Sequence, residues 1–494
     1  MEGKRKEKRN NPLNLKITRR RAIGTAAKIA GAAVAGLVIG GAVGYVAKSA
    51  APAEIVTKTV PTTVKETVTS TVGAETVTVT APTTVEKTVT KTVTSTVTAT
   101  AAPTVTGLAE LRRELAQKYA NAKPGEKFLV GYVTWTLAQE APKYDYQGAH
   151  QACNQLELDF RGIEIGTEAL KAVEATDSLI AAGAKGILYW APALAAMEQI
   201  VTTCEENEVF AATSWCADPK LFPGDRGPRW FLEFSTMCDE MSFFTMTILF
   251  EKMRKYGKSK VLHIQGSKTI GPTFNSMVNQ GIVMAWMRYP EITLLGHYWG
   301  EWAYPGGRKA GEDALAVRTD YEGLWGHNSD ITLGAASVFE ERGIDIGPFT
   351  VSRDAPVPAI ERLIEGTWLA DSLTEFQYFG GKRVADTYDA ATGYSYPLRD
   401  EMFQSPWVTT VLNMSDPKIK EENEELIKKS GIWWHRDFIY VDAAKLLDFL
   451  KISEVYPAEE YPYDFRTLSI GKCKELGLTY DRHAKNYLTA TDFF

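Results

Sequence analysis

The run ALKAVEATDSLIAAGAKGILYW, residues 169–190, decides the fold. Its first part, 169–182, places apolar residues at helical spacing and ends at Gly183. Its last part, GILYW at 186–190, is a short apolar run without alternation, the pattern of a strand buried on both faces. The same beat extends in both directions. Residues 128–134 (FLVGYVT), 158–165 and 209–214 read as strands, and 147–156 and 193–206 as helices. After a strand at 231–234 come helices at 237–256, 274–289, 308–316 and 331–342. Strands at 260–265, 293–297, 323–326 and 349–352 separate them. Strands alternating with helices of this length imply an α/β fold, with parallel sheets covered on both faces, in two similar lobes. In such sheets a ligand lies outside the carboxyl ends of the strands, so the loops after each strand carry the candidate site.

The flanks differ from this body. The chain has 494 residues and a net charge of −6, which conceals +7 over residues 1–22 and −13 over the remainder. An acidic body is a poor match for nucleic acid, whose binding rests on phosphate neutralisation, and no nucleic-acid partner is expected. Residues 29–47 carry no charge and are long enough to span a hydrocarbon core. The basic flank before them puts 1–22 in the cytoplasm and everything after Lys48 outside the cell. Thr18-Arg19-Arg20-Arg21 also resembles a twin-arginine export signal, and Ser49, Ala50, Ala51 and Ala53 suit a signal peptidase. Segment 23–48 is therefore a membrane anchor or an export signal, and either delivers the body outside the cell. Residues 55–106 hold 21 Thr and 12 Val and no aromatic, so they cannot pack a core. Residues 49–106 read as an extended spacer, a stalk open to glycosylation on Thr, with strand-like self-association as the rival reading. A short helix at 107–123 leads into the body.

At this point the sequence resembles a family. The order of elements is similar to that of the ribose-binding type of solute-binding protein of ABC importers, the type I periplasmic-binding-protein fold. The residues that carry the resemblance are the run from Ala181 to Leu188, the strand entry Tyr289-Pro290-Glu291-Ile292, and Asn328-Ser329-Asp330 followed by Leu333-Gly334-Ala335. Asp354 with Ala359-Ile360 and Ile364-Glu365-Gly366 completes the set. The resemblance covers residues 127–394 and implies two Rossmann-like lobes joined by a three-strand hinge, closing over a ligand. The first lobe would hold about 127–234 with the chain after 375, and the second about 236–373. Crossings are expected near 234–236, near 374–377 and after Tyr394. The implied role is extracellular capture of a small ligand, a sugar, for delivery to an ABC permease.

A sugar needs carboxylate or amide side chains at its hydroxyl edge and rings on its faces. Trp135, Trp190 and Trp215 fall at predicted strand ends, and Trp302 falls where the family places an aromatic wall. Core filling is the alternative for any one of them. The resemblance assigns Asn328 and Asp354 to ligand hydroxyls, with loop capping as the alternative. Thr374 stands where the family often has Gln, with Glu375 and Gln377 beside it. Two positions depart from the family. Trp215 and Cys216 replace an Asp-Arg pair, and Phe274-Asn275-Ser276 lacks an arginine. A nucleoside or another ring-bearing metabolite fits such a cleft equally, and a surface structural or sensory role is the alternative to transport.

Residues 395–494 exceed what the resemblance needs. They read as an aromatic-rich extension packing on the body, with a charged helix at 416–430 and one glycosylation sequon at Asn413. Five cysteines without CxxC spacing indicate buried thiols with at most one bridge. GxSxG, P-loop and HExxH motifs are missing and the six histidines are scattered. No enzyme activity, metal or cofactor is expected.

Overall fold

The computed structural model describes residues 62–72, 75–85, 107–191, 194–216, 221–268, 272–404, 409–435, 438–448 and 463–481. The basic segment and the anchor or signal expected over 1–48 lie outside them. Among the described residues no helix is long and apolar enough to cross a membrane. The chain divides into two units, Met1–Thr100 and Ala101–Phe494. In the first, β1 (Thr62–Val72) and β2 (Glu75–Val85) pair antiparallel, Thr62 opposite Val85 and Val72 opposite Glu75. Between 62 and 85 the chain therefore doubles back, where the sequence pattern suggests one extended run. Val and Thr favour strands, and paired strands satisfy backbone groups that a lone strand leaves open.

The second unit opens with α1 (Leu108–Tyr119) and is built on three sheets. The first uses β3 (Leu129–Thr134), β4 (Asp159–Glu164), β5 (Ala184–Trp190), β6 (Phe210–Ser214), β7 (Trp230–Phe234) and β13 (Phe403–Gln404). Its order is β13-β7-β6-β5-β3-β4 and every pairing is parallel. Helices α2 (Glu140–Gln155), α3 (Ala169–Ala181) and α4 (Leu194–Glu206) connect its early strands. The second sheet, order β11-β10-β8-β9, uses β8 (Lys260–Gln265), β9 (Thr293–Trp299), β10 (Gly323–Gly326) and β11 (Thr350–Val351), again all parallel. Its helices are α5 (Cys238–Lys255), α6 (Pro272–Trp286), α7 (Tyr304–Val317), α8 (Ser329–Glu341) and α9 (Val357–Ile364). The third sheet joins β12 (Asp371–Leu373), β14 (Thr409–Leu412) and β15 (Ile439–Asp442) in the order β12-β14-β15. Single bridges from Val351 to Ala370 and from Asp354 to Leu373 attach it to the second.

This is the two-lobed α/β architecture with parallel sheets. The chain leaves the six-stranded sheet after β7, at 235–237, and returns after β12, at 374–375, into α10 (Phe376–Ala391). It places β13 in the first sheet and β14 in the third, so residues beyond 394 supply strands to both lobes. Helix α11 (Pro417–Ser430) follows β14, starting at an Asp416 cap whose carboxylate accepts from the Lys418 and Ile419 amides.

Two details position the cleft. Helix α10 lies against α2 at very short range: a Cβ at Gly148 would meet the Gln377 carbonyl at 2.0 Å, and one at Gly380 the Asp145 carbonyl at 1.9 Å. Under this contact Arg383 and Asp145 form a fully buried ion pair. The Tyr132 hydroxyl donates to Asp145 at 2.7 Å, and Arg383 donates to the Tyr189 carbonyl at 2.9 Å. The segment 463–481 then docks on the same helices. Gln155 donates to the Tyr463 carbonyl at 2.9 Å, and Asp389 accepts from Ser469 Oγ and from the Ile470 and Gly471 amides at 2.6–2.8 Å. All five cysteines are buried and free.

Candidate functional site

Backbone geometry marks the site first. Of the eight non-glycine residues with positive φ among the described residues, six lie within four residues of the ends of strands β5, β6, β9 and β11. They are Ala191, Trp215, Glu301, Trp302, Asp354 and Ala355, with φ between 39° and 99°. Such conformations cost about 1–3 kcal/mol each and persist where the surroundings impose them. They sit at the carboxyl ends of two parallel sheets, and Asp354 and Ala355 among them line the cavity between the lobes.

A cavity of ≈ 30 Å³ lies in that gap. The first lobe lines it with Glu140, Tyr144, Phe376 and Gln377, the second with Asn328, Asp330 and Asp354, and the crossing segment with Thr374 and Glu375. Tyr463 from the docked tail completes one wall. This volume holds about one water molecule, so a ligand enters only if the lobes part. Gln139 of the first lobe donates to the Trp302 carbonyl of the second at 3.1 Å, across the gap. Trp215 meets Phe274 edge-on, also across it, with ring centres 4.9 Å apart.

Beside the cavity, Trp190 packs edge-on against Trp215 at 6.0 Å and against Phe376 at 5.4 Å. Arg353, buried to 3% exposure, lies 5.4 Å from the Trp215 ring and 5.9 Å from the Trp302 ring. Its Nε donates to the His327 carbonyl at 2.9 Å and its Nη1 to Cys238 Sγ at 2.8 Å. Asp354 Oδ1 accepts from Thr374 Oγ1 at 3.1 Å and lies 3.7 Å from Arg353 Nε. Burial pushes the Asp354 carboxyl above its ordinary range, and Arg353 opposes that. Asp371 accepts from Ser329 Oγ at 2.7 Å and from the Ser372 and Ala355 amides at 2.7 and 3.2 Å, which fixes the loop carrying Asp354.

The structure brings most of the sequence candidates to this place. Asn328, Asp354, Thr374 and Gln377 line the cavity, Trp215 and Trp302 flank Arg353, and Trp190 packs on Trp215. Asn328 also does the capping work: its Oδ1 accepts from the Ile331 amide at 3.1 Å, and its Nδ2 donates to the Trp302 carbonyl at 3.2 Å. The Trp302 ring lies over Gly266, where a Cβ would sit 2.1 Å from it. Trp135 is half-buried against the first-lobe core and does not line the cavity.

Glu140, Tyr144, Asp330, Arg353 and Tyr463 are not found by sequence reasoning. Arg353 and Asp330 adjoin residues that it names, so strand-end position is the available signal. Tyr463 has none beyond its place in an aromatic tail.

Three of the histidines scattered in sequence lie together in the fold. His263 of β8, His297 of β9 and His327 after β10 meet because parallel strands place them side by side, despite their spacing in sequence. The Nε2 atoms of His263 and His327 are 2.9 Å apart, and His327 Nδ1 is 2.7 Å from Asn275 Oδ1. That oxygen also accepts from the Gly266 amide at 3.1 Å, which assigns the proton between them to His327 Nδ1. Burial, with His297 adding to it, lowers the His263 pKa to about 3, so the pair is neutral. Among the described residues no group of side chains can hold a metal ion.

The sequence matches no protein-family model and no curated protein. Solved structures match the fold. A twin-arginine translocation pathway signal protein from Burkholderia phytofirmans is 18% identical, with a TM-score of 0.54 over 62% of this chain and 94% of its own. A galactofuranose binding protein is 16% identical, with a TM-score of 0.52 over 61% and 99%. An ABC transporter periplasmic solute binding protein from Actinobacillus succinogenes, with bound D-allose, is 16% identical, with a TM-score of 0.52 over 60% and 100%. Identities this low establish the fold alone: the body has the two-lobed type I periplasmic-binding-protein fold.

Proposed function

We propose that this chain is a binding protein, not an enzyme, that captures a sugar between its lobes and hands it to an ABC permease. The observation that carries the reading is the cavity at facing strand ends, lined by carboxylates, an amide pair and rings. Among the described residues, the acceptor Glu375 Oε2 in the lining and the donor Trp215 Nε1 beside it are buried without a hydrogen-bond partner. Unmet groups of this kind cost about 1–3 kcal/mol each, and a hydroxylated ligand would satisfy both. Solved proteins of this fold are named for galactofuranose and carry D-allose, which supports a sugar here. On this reading, residues 23–48 anchor or export the chain and 49–106 hold the body off the outer face of the membrane.

Calorimetric titration of the full chain with pentoses, hexoses and nucleosides tests the proposal. Saturable one-to-one sugar binding is the expected result. Binding of nucleosides alone would move the reading to a ring-bearing metabolite. Binding of neither class would leave the fold a structural or sensory part and end the proposal.

A further inference from the structure

The charge of the cavity is lopsided. Glu140, Asp330, Asp354 and Glu375 line it, and among the described residues no lysine or arginine does. The cation beside it, Arg353, lies between two indole rings with Nε and Nη1 engaged by His327 and Cys238. Three side-chain donors of the lining are also engaged. Asn328 Nδ2 donates to Trp302, Ser329 Oγ to Asp371 and the Arg353 carbonyl, and Thr374 Oγ1 to Asp354. Glu375 is 8% exposed; it is hydrogen-bonded with Tyr463 and its Oε2 meets no partner among the described residues. A neutral sugar hydroxyl both donates and accepts, so it calls for a balanced wall. An ammonium group brings three donors and no acceptor, which matches a wall of carboxylates.

Resting on the sugar reading above, we propose that the ligand is an amino sugar whose protonated amine is held among Glu375, Asp330 and Asp354. The carboxylates themselves support this. Burial raises all three, with Glu140 and Asp354 adding to the rise at Asp330, whose pKa reaches about 7. Asp371 stands behind Asp354 and Arg353 opposes the rise there. A cation entering the cavity would favour the ionised forms, so binding near pH 6 would release protons, and a neutral sugar, which brings no charge, would release fewer.

The test is calorimetry on the full chain with D-glucosamine, D-galactosamine and D-mannosamine, each beside its parent hexose and its N-acetyl derivative. The titrations are repeated at about pH 6 in buffers of different ionisation enthalpy. At least one amine should bind tighter than its parent by about tenfold or more, the ratio one charge-assisted hydrogen bond supplies. Its N-acetyl form, which lacks the charge, should lose that advantage, and the heat should report proton release. Glu375→Gln and Asp330→Asn should each narrow the ratio, and circular dichroism shows whether either variant has failed to fold. Parent hexoses that bind as tightly as the amines would overturn the amino-sugar inference and leave the sugar reading standing. Binding of no sugar in any form would overturn both.

Discussion

The lobe built on the six-stranded sheet meets the cleft with rings, Trp190, Trp215 and Phe376, over a core tied by the buried Arg383–Asp145 pair. The lobe built on the four-stranded sheet meets it with Asn328, Asp330 and Asp354, on loops that hold Trp302, Asp354 and Ala355 at positive φ. The first surface is what tight packing produces from an aromatic-rich core. The second carries buried carboxylates that packing alone does not favour. The lobes thus bring different chemistry to the cleft. One brings mainly rings, with Glu140 and Gln377 among them, and the other mainly carboxylates, with Trp302 among them.

This division can be broken from either side. Asp145→Ala strikes the first lobe alone and leaves Arg383 charged and buried at 0% exposure. Breaking a buried pair this way costs about 3–5 kcal/mol, so the urea midpoint should fall steeply. Asp354→Ala strikes the second lobe at the cavity. Loss of charge-assisted bonds to ligand, about 1.5–3 kcal/mol each, should weaken sugar affinity by tenfold or more, together with a lower melting temperature, because buried Arg353 loses the carboxylate 3.7 Å from it. A lowered melting temperature with unchanged affinity would reassign Asp354 to holding its loop. Gly266→Ala pushes against the Trp302 ring. It should weaken affinity by about tenfold, a loss of about 1.4 kcal/mol, and leave the first lobe's unfolding untouched. Asn328→Ala removes the cap of α8 and should cost about 1 kcal/mol of stability, with a smaller effect on binding.

Much of the fold is legible in the sequence because apolar runs and helical periodicity are local signals. Each strand expected over 128–352 is present, and their order requires parallel sheets. Two helix starts differ from the sequence expectation for one reason. α2 begins about two turns before the expected 147 and α7 about one turn before the expected 308, and both carry a proline, Pro142 and Pro305, in their first turn. A proline there fits the helix, since its missing N–H would be unpaired in any case. Asn328 and Asp354 are legible as strand-end residues. Trp135 holds the same kind of position, yet it packs on its own lobe. Glu140, Tyr463 and the His263–His327 contact come from elements far apart in the chain, and no periodicity records which of those will touch. The hairpin at 62–85 is illegible in another way, because a Thr/Val repeat suits an extended strand and a paired one equally.

The central claim is that ligand is captured by the two lobes moving against each other over the cavity. Leu170 on α3 is 67% exposed and Val317 on α7 is 74% exposed, one on each lobe. Spin labels at Leu170→Cys and Val317→Cys report the separation of the lobes, and the five native cysteines are buried against labelling. Pulsed dipolar spectroscopy, with and without the tightest-binding sugar of the calorimetric panel, reads that separation. The account predicts a broad distribution reaching longer distances in free protein, because a ≈ 30 Å³ cavity admits no sugar, and a single narrow one when ligand is bound. One narrow distribution, unchanged at saturating sugar, would contradict it.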